Sequence, residues 1–283
     1  MRLRETVIER SLLIASLSSV GVLALIALFV FIEGTPIIFR EGVLPFLFGH
    51  RWAPTKGDFG ILPMIVGSVW VTIGALVIAG PLGVACSVLL VEIAPRKVSD
   101  LMRPAIQLLA GIPSVVYGFV GIIVLVPLIR ETLGGPGLSI LAAAVILGTM
   151  VLPTVISISQ DALEAVPNSY REGALALGLT QWQAITRVVL PAARGGIAAA
   201  LVLGMGRAIG ETMAVIMVVG NATGLPHSPL QPARTLTSNI ALEMAYATGG
   251  HREALFATGV VLFLFIMALN TLAHLPSRRR GER

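Results

Sequence analysis

The sequence predicts an all-α, polytopic membrane protein with six transmembrane helices. Hydrophobic residues make up 55% of the 283 residues and charged residues only 12%, whereas about 25% of the residues in a soluble domain are charged. Several apolar stretches are long enough to cross the roughly 30 Å hydrocarbon core of a bilayer. We treat residues 1–283 as one transmembrane domain. Its six predicted spans are Ser11–Ile32, Ile65–Ile93, Ala105–Ile129, Leu138–Ser159, Ala192–Val219 and Ala254–His274.

The first span has to be distinguished from a cleaved leader. Residues 1–32 start with basic residues, as signal peptides do. The apolar run that follows is too long for a signal-peptide core and lacks a small-residue cleavage site. We therefore predict that Ser11–Ile32 stays in the protein as a transmembrane helix.

Lysine and arginine residues predict the orientation of the chain in a cell (inner) membrane, because cytoplasmic segments carry the excess of these residues. With a cytoplasmic amino terminus, the inner segments contain Arg2, Arg4, Arg10, Arg96, Lys97, Arg103, Arg171, Arg187, Arg194, Arg278, Arg279, Arg280 and Arg283. The outer segments contain the smaller set Arg40, Arg51, Lys56, Arg130, Arg234 and Arg252. Both termini are therefore predicted to be cytoplasmic. The same asymmetry accounts for the net charge of +5 without a nucleic-acid partner.

Two polar segments are predicted to form structured loops on the outer, periplasmic face. Residues 33–63 contain HRWAPTKGDFG, which is too polar to span the membrane, and the segment is too long for a simple turn. Residues 221–253 contain Pro226, Pro229 and Pro232, which interrupt any long helix. Loops of this kind can contact an extracytoplasmic partner.

The third span is interrupted by GIPSVVYGF, residues 111–119. Gly111, Pro113 and Gly118 all disfavour a continuous helix. Broken membrane helices tend to line cavities, because the freed backbone groups need polar partners. A cavity-lining break and a simple proline kink both remain open at this point.

The fifth span carries two charged residues, Arg207 and Glu211, within GMGRAIGETMAVIMVVG. A charge at the bilayer centre costs about 2.5–3.5 kcal/mol, so such residues usually face a bundle interior and mark a solute path. In one continuous helix the two would lie on the same face, and Gly206 and Gly210 would let another helix approach. The alternative is a structural ion pair between helices. The order Arg before Glu is the weaker one for such a pair, which favours a site for an anionic solute.

The cytoplasmic loop, residues 161–191, is predicted to contain two short helices. Pro167 suits a helix start and Gly178 a helix end. Thr180 and Gln183 form a T-x-x-Q capping box for the second helix. The apolar stripe of that helix consists of Trp182, Ile185 and Val189. Connections between membrane helices are usually short, so a folded loop of this size indicates docking onto another protein.

Part of this loop resembles the conserved cytoplasmic loop of ABC-importer permeases, whose pattern is E-A-A, then G, then I-x-L-P. The chain departs at Gly173, where Ala is usual, and has Val188 in place of the Ile of I-x-L-P. In that family the loop inserts into a groove on the ATPase subunit. The resemblance therefore implies a type I ABC-importer permease fold and a coupling contact. The coupling residues that it implies are Glu172, Ala174, Gly178, Leu179, Ile185, Leu190 and Pro191.

RAIGETMAV, residues 207–215, resembles the fifth-helix signature of permeases of bacterial phosphate-specific ABC importers. Further stretches match that family in the same order, namely FLFGHRWAP (46–54), FGILP (59–63), GIPSVVYGF (111–119) and TLTSNIALEM (235–244). The resemblance implies that Arg207, Glu211 and Thr212 line the phosphate path. Sulfate and molybdate permeases carry a related R-A-L-G-E-F segment and remain an alternative, although Thr212 and the three residues after it favour phosphate.

The two charges of the fifth span suit an oxyanion that still carries a proton. Arg207 offers planar, always-charged donors to a tetrahedral oxyanion. Near neutral pH a phosphate P–OH group can donate to the Glu211 carboxylate. Glu211 also lowers the positive charge of the site, which lets the cargo leave again.

Neither a catalytic set nor an ATP or metal site is predicted in this chain. Its lysines, Lys56 and Lys97, are followed by Gly and Val, so the P-loop ending G-K-[ST] does not occur. The histidines lie far apart without metal-ligand spacing. Glu243 either faces the path or lies at the interface near the sixth span, and we favour the interface. The resemblance implies four partners: a second homologous permease, two copies of an ATPase that holds ATP and Mg, and an extracytoplasmic phosphate-binding protein. An ion-coupled secondary transporter remains the alternative from another class, although the inverted repeats often seen in such transporters are not evident.

Overall fold

A computed structural model describes residues 2–278, with side chains for residues 8–271. Within this part, six helical segments are long and apolar enough to cross a membrane: Ile8–Glu41, Leu62–Ile93, Ser114–Thr132, Ile140–Glu164, Gln181–Gly210 and Gly249–Thr271. The predicted all-α architecture with six spans is therefore confirmed. Arg279, Arg280 and Arg283, which contribute to the predicted orientation, lie outside the described residues.

The first span is longer than predicted. Helix α1 (Arg2–Glu41) passes through Pro36 instead of ending at Ile32. Tertiary packing explains the extension, because Ile37 is buried and Gly34 lies directly against the backbone of the last helix, where an added Cβ would be 2.6 Å from Ala257 N. The predicted outer loop 33–63 is correspondingly shorter. It consists of α2 (Val43–Phe48) and a hairpin of β1 (Trp52–Ala53) and β2 (Asp58–Phe59).

Three helices form the centre of the bundle: α3 (Leu62–Val88), α7 (Ile140–Glu164) and α10 (Leu190–Gly210). Helix α7 is the innermost, since 67% of its central apolar window is buried. Small residues let its neighbours approach closely. A Cβ added to Gly83 of α3 would lie 2.7 Å from Val155, and one added to Gly204 of α10 would lie 2.8 Å from Val151. Close backbone packing therefore holds α3 and α10 on either side of α7.

The third span is interrupted at Gly111 and Pro113, as the sequence predicts, but not at Gly118, and it begins after the break instead of at Ala105. Helix α4 (Arg96–Gly111) ends at Ile112 and Pro113, whose ψ angles of 128° and 139° are extended. Proline lacks an amide hydrogen and pushes the residue before it out of the helical region. The span itself comprises α5 (Ser114–Val120), a π-helical turn (Gly121–Leu125) and α6 (Val126–Thr132).

The predicted fifth span, Ala192–Val219, differs from the observed helices at both ends. Its helix starts earlier, because α9 (Gln181–Ala184) continues through a π-helical turn (Ile185–Val189) directly into α10. It breaks after Gly210, and a separate α11 (Met213–Val218) follows.

The helices predicted in the cytoplasmic loop are confirmed. Helix α8 (Asn168–Ala176) follows Pro167, and Gly178 adopts a left-handed φ of 83° after the helix ends. Both arms of the capping box form, since Thr180 Oγ1 accepts from Gln183 N at 3.3 Å and Gln183 Oε1 accepts from Thr180 N at 3.0 Å. The predicted apolar stripe is wrong at Trp182, which is 62% exposed, while Ile185 and Val189 are buried.

The outer segment 221–253 also contains a helix. Helix α12 (Leu236–Glu243) starts at Thr235 with a capping box that involves Ser238, and α13 (Gly249–Arg278) follows after a short turn. The sixth span therefore begins before the predicted Ala254.

Candidate functional site

Arg207 lies near the middle of the bundle's depth. Its Nη1 is 3.4 Å from Thr154 Oγ1 of α7, and Thr154 is close to the midpoint of Ile140–Glu164. The Arg207 side chain is exposed on the surface of the chain. A permanently charged group at this depth is costly unless it faces water or polar partners.

Glu211 does not share a helical face with Arg207, contrary to the prediction. Its backbone is extended, with φ −69° and ψ 131°, because other groups replace the helical hydrogen bonds. The Ala214 amide donates to Glu211 Oε1 at 3.3 Å, and the Thr237 hydroxyl donates to the Glu211 carbonyl at 3.1 Å. No ion pair joins Glu211 to Arg207 among the side chains that the structure describes. The interpretation as a structural ion pair between these two residues therefore fails.

Thr212 lies in the break between α10 and α11. Its hydroxyl donates to the Gly210 carbonyl at 3.2 Å, and its carbonyl accepts from Ile216 N at 2.9 Å. Arg207, Glu211 and Thr212 are therefore grouped around one helix break, as neighbours in sequence must be, but in a geometry that a continuous helix would not allow.

A second helix break lies close to the first. Helix α5 packs against α11, where a Cβ added to Gly118 would be 2.6 Å from Met217 Sδ. The Tyr117 hydroxyl donates to the Leu109 carbonyl at the end of α4, at 3.0 Å. Thr154 is the polar neighbour of Arg207 that sequence reasoning missed, since its separation from Arg207 in the chain gives no signal of proximity.

The predicted cytoplasmic loop, residues 161–191, has an apolar tip, defined by four exposed side chains. Among the coupling residues implied by the resemblance, Glu172 and Gly178 are exposed, whereas Ala174 and Ile185 are buried and hold the loop together. Leu179 and Leu190 are half-buried, and Pro191 is exposed at the start of α10. The exposed large apolar side chains of the loop are Tyr170, Leu175, Leu177 and Trp182. Several exposed large apolar side chains on one short segment indicate a protein contact.

Comparison with known sequences identifies the family. Residues 79–281 match the family described as binding-protein-dependent transport system inner membrane component. The chain belongs to this family of ABC-importer permeases. It is 46% identical over 266 residues to the probable ABC transporter permease protein YqgH of Bacillus subtilis, covering 90% of this chain and 85% of that protein. It is 36% identical over 249 residues to the phosphate transport system permease protein PstC of Mesorhizobium japonicum, covering 81% and 76%.

Solved structures show the same fold. The permease superimposes on a chain of a bacterial alginate ABC transporter, solved in complex with an alginate-bound periplasmic protein, with a TM-score of 0.70 over 100% of this chain and 99% of the other. A chain of an amino acid ABC transporter gives a TM-score of 0.56 over 77% and 93%. Sequence identities of 17% and 18% mean that these matches concern the fold alone. The expected type I ABC-importer permease fold is confirmed.

The outer end of the permease contains a buried cluster of charged residues. Glu243 accepts from Trp52 Nε1 at 2.8 Å and from Arg234 Nη1 at 2.5 Å, and its Oε2 lies 2.8 Å from His251 Nε2. Burial acts to raise the pKa of Glu243, but the hydrogen bonds from its three partners outweigh burial and hold the pKa below the ordinary glutamate value. The cluster ties the β hairpin to α12 and α13, so Glu243 lies at an interface near the sixth span.

Proposed function

We propose that this permease forms, together with a second homologous permease subunit, the path by which inorganic phosphate enters the cytoplasm. The observation that carries the proposal is the position of Arg207, an exposed cation at mid-depth with one long hydrogen bond to Thr154. Facing lipid, this charge would be unfavourable by about 2.5–3.5 kcal/mol. Facing a water-filled path shared with another subunit, it becomes an anion-binding group.

The surface around Arg207 is open to such a subunit. Gly206 and Gly210 have no atom within 4 Å of where a Cβ would be placed. The predicted close approach of another helix therefore does not occur among the residues that the structure describes, and this surface is open to a partner. Leu203 and Met213 are exposed apolar residues on the same stretch. A second permease would cover this apolar surface and enclose Arg207.

Glu211 and Thr212 supply the other polar groups of the proposed path. The contact of Glu211 Oε1 with the Ala214 amide is long, at 3.3 Å, so the carboxylate keeps capacity to accept from a P–OH group. The half-buried Thr212 hydroxyl can both donate and accept. Cationic donors beside a carboxylate favour a protonated oxyanion over a fully ionised one.

Phosphate is favoured over other anions by the relatives and by the sequence at the break. Relatives in several bacteria are named phosphate transport system permease protein PstC, including one in Pasteurella multocida that is 34% identical. The name of the Bacillus subtilis relative specifies no substrate. Thr212 and the three residues that follow it match the phosphate-importer signature and not the related R-A-L-G-E-F of sulfate and molybdate permeases.

The complete importer would contain the partners that the family resemblance implies. Two ATPase subunits, which hold ATP and Mg, would bind the apolar tip of the cytoplasmic loop, and this chain itself would bind no cofactor and catalyse no reaction. An extracytoplasmic phosphate-binding protein would dock on the outer hairpin and α12. Both termini would lie in the cytoplasm of a cell whose inner membrane contains the importer, and residues 1–283 would act as one permease domain.

The test is ATP-dependent uptake of radiolabelled phosphate by vesicles that contain the complete importer, with sulfate and molybdate as competitors. Arg207→Gln and Glu211→Gln are expected to lower uptake by about tenfold or more, since each removes one charged partner of the anion. Arg194→Gln, an exposed arginine of the same helix near its cytoplasmic end, is the matched control and should keep wild-type uptake. Wild-type uptake in both site variants would remove them from the path, and competition by sulfate would reassign the substrate.

A further inference from the structure

A partly buried ion pair connects the cytoplasmic loop to the membrane helix α3. Glu92 lies in the π-helical turn (Leu89–Ile93) that ends α3, and Arg171 lies in α8. Arg171 Nη2 donates to Glu92 Oε1 at 2.5 Å, and Arg171 Nε is 3.1 and 3.2 Å from the two carboxylate oxygens. Arginine binds a carboxylate most strongly in this two-pronged arrangement, which also fixes the orientation of both groups.

The same guanidinium binds the end of α7. Arg171 Nη1 donates to the Val166 carbonyl at 2.7 Å, and Nη2 donates to the Leu163 carbonyl at 2.9 Å. Carbonyls at the carboxyl end of a helix lack their full set of helical partners, and the helix dipole favours a cation there. One side chain of the cytoplasmic loop therefore joins α8 to both α3 and α7.

Further contacts make this connection stiff. Gln181, the first residue of α9, donates from Nε2 to the Glu92 carbonyl at 3.1 Å. Beneath the ion pair, the buried side chains of Val88, Leu163, Ile185 and Val189 belong to one apolar cluster. Close-packed interiors transmit displacement and do not absorb it. A movement of α8 and α9 must therefore move the end of α3.

A second ion pair in the neighbourhood provides a comparison. Arg103 of α4 and Glu164 of α7 line the same cavity of about 530 Å³ as the Arg171–Glu92 pair, but their ion pair joins α4 to α7 and involves neither α8 nor α9. Their side chains are 39% and 43% exposed, compared with 22% for Arg171 and 8% for Glu92. Exposed ion pairs contribute little to the stability of a fold. Removing one partner of a buried pair is strongly destabilising, because it leaves an uncompensated buried charge.

We propose that the Arg171–Glu92 pair is the positioning element that passes movement of α8 to α3, so that α3 moves together with α7 and α10, which carry Thr154 and Arg207. Arg171 is adjacent to Glu172, one of the residues implied in the ATPase contact, so the pair lies between that contact and the membrane bundle. The inference rests on the proposed function, because it gives the pair a role in ATP-driven import. Neither residue touches the transported anion.

The test uses the complete importer in vesicles and compares phosphate transported per ATP hydrolysed. Glu92→Gln keeps the shape of the side chain and removes its charge; Glu164→Gln makes the same change in the exposed pair and is the matched control. We expect Glu92→Gln to lower transport per ATP by about tenfold while ATP hydrolysis continues, and Glu164→Gln to stay within about twofold of wild type. Glu92→Asp, which keeps the charge, should recover part of the coupling. A purely structural pair would lower the amount of assembled importer and leave transport per ATP unchanged.

Unchanged transport per ATP in assembled Glu92→Gln importer, or an equal loss in Glu164→Gln, would overturn the proposal. If Glu92→Gln does not assemble, Arg171→Lys decides, because lysine keeps the positive charge but cannot bind the Glu92 carboxylate in the two-pronged arrangement. Transport per ATP at the wild-type level in that variant would also overturn it. The wild-type importer is assayed with phosphate, sulfate and molybdate in parallel. Import of sulfate or molybdate in place of phosphate would refute the proposed substrate, and the Arg171–Glu92 pair would then be scored with the anion that is carried.

Discussion

Replacing Glu243 with glutamine is expected to destabilise the outer end of the permease. The Glu243 side chain is 10% exposed and accepts hydrogen bonds from Trp52 and Arg234 while contacting His251. Glutamine keeps the size of the side chain, but its amide can present only one acceptor oxygen and places an NH2 group against a donor. Arg234 then loses its buried counter-charge.

The magnitude follows from these contacts. Breaking a buried ion pair costs about 3–5 kcal/mol, and a hydrogen bond to a charged group contributes about 1.5–3 kcal/mol. Because glutamine retains one acceptor, we expect a loss of about 3 kcal/mol in the free energy of unfolding, at the lower end of the first range. For a chain of this size that corresponds to a decrease in Tm of about 6–12 °C.

The assay is thermal unfolding of the purified permease in detergent, followed by tryptophan fluorescence, to which Trp52 in the cluster contributes together with Trp70 and Trp182. Asp58→Asn is the control, because it removes the Arg51–Asp58 pair of the same hairpin, whose side chains are 66% and 45% exposed. The exposed Arg51–Asp58 pair should contribute less than about 1 kcal/mol to the free energy of unfolding. Equal decreases in Tm for Asp58→Asn and Glu243→Gln, or no decrease for Glu243→Gln, would refute the assignment of a stabilising role to the cluster.

The stabilisation by Glu243 should depend on pH in a defined direction. Its pKa in the folded protein lies below the ordinary value of 4.5, so the unfolded state binds the proton more readily. The contribution is therefore fully present above the unfolded pKa and is lost as the pH falls through the folded pKa. The difference in Tm between wild type and Glu243→Gln should therefore become smaller as the pH is lowered below about 4.5. A difference that becomes larger would contradict this prediction.

Two glycine positions give further predictions, each with a control nearby in the same helix or loop. Gly34→Ala should weaken the packing of α1 on α13 by about 1–3 kcal/mol and lower the Tm, whereas Gly21→Ala on α1, with no atom within 4 Å of its Cβ position, should not. Gly178→Ala, at a φ of 83°, should destabilise the cytoplasmic loop by about 1 kcal/mol and raise its cleavage by protease. Gly173→Ala, in the interior of α8 with open space around it, should stabilise the same loop by about 0.5–1 kcal/mol. An increase in protease cleavage of the Gly173→Ala loop, or equal behaviour of the two α1 variants, would refute these predictions.

Local chemistry explains which predictions from the sequence succeed. The helix end at Gly178 and the capping box of Thr180 depend on residues within a few positions of one another, so the sequence alone reveals them. The break at Pro113 is likewise a local property of proline, although the pattern leaves both a kink and a true break open, and the structure has two separate helices, α4 and α5. Trp182 shows the limit of periodicity, since a helical stripe does not say which of its members faces solvent.

The composition and the order of apolar stretches determine that this protein is an all-α membrane protein with six spans, because only helices of that length satisfy their backbone in a bilayer. The motifs around Glu172 and Arg207 indicate the permease family, which the comparisons confirm. Tertiary structure decides the remainder. It breaks the fifth span at Glu211, where Ala214 and Thr237 replace helical partners. Contacts such as Arg171 with Glu92 and Trp52 with Glu243 join residues 79 and 191 positions apart, and no local pattern specifies them.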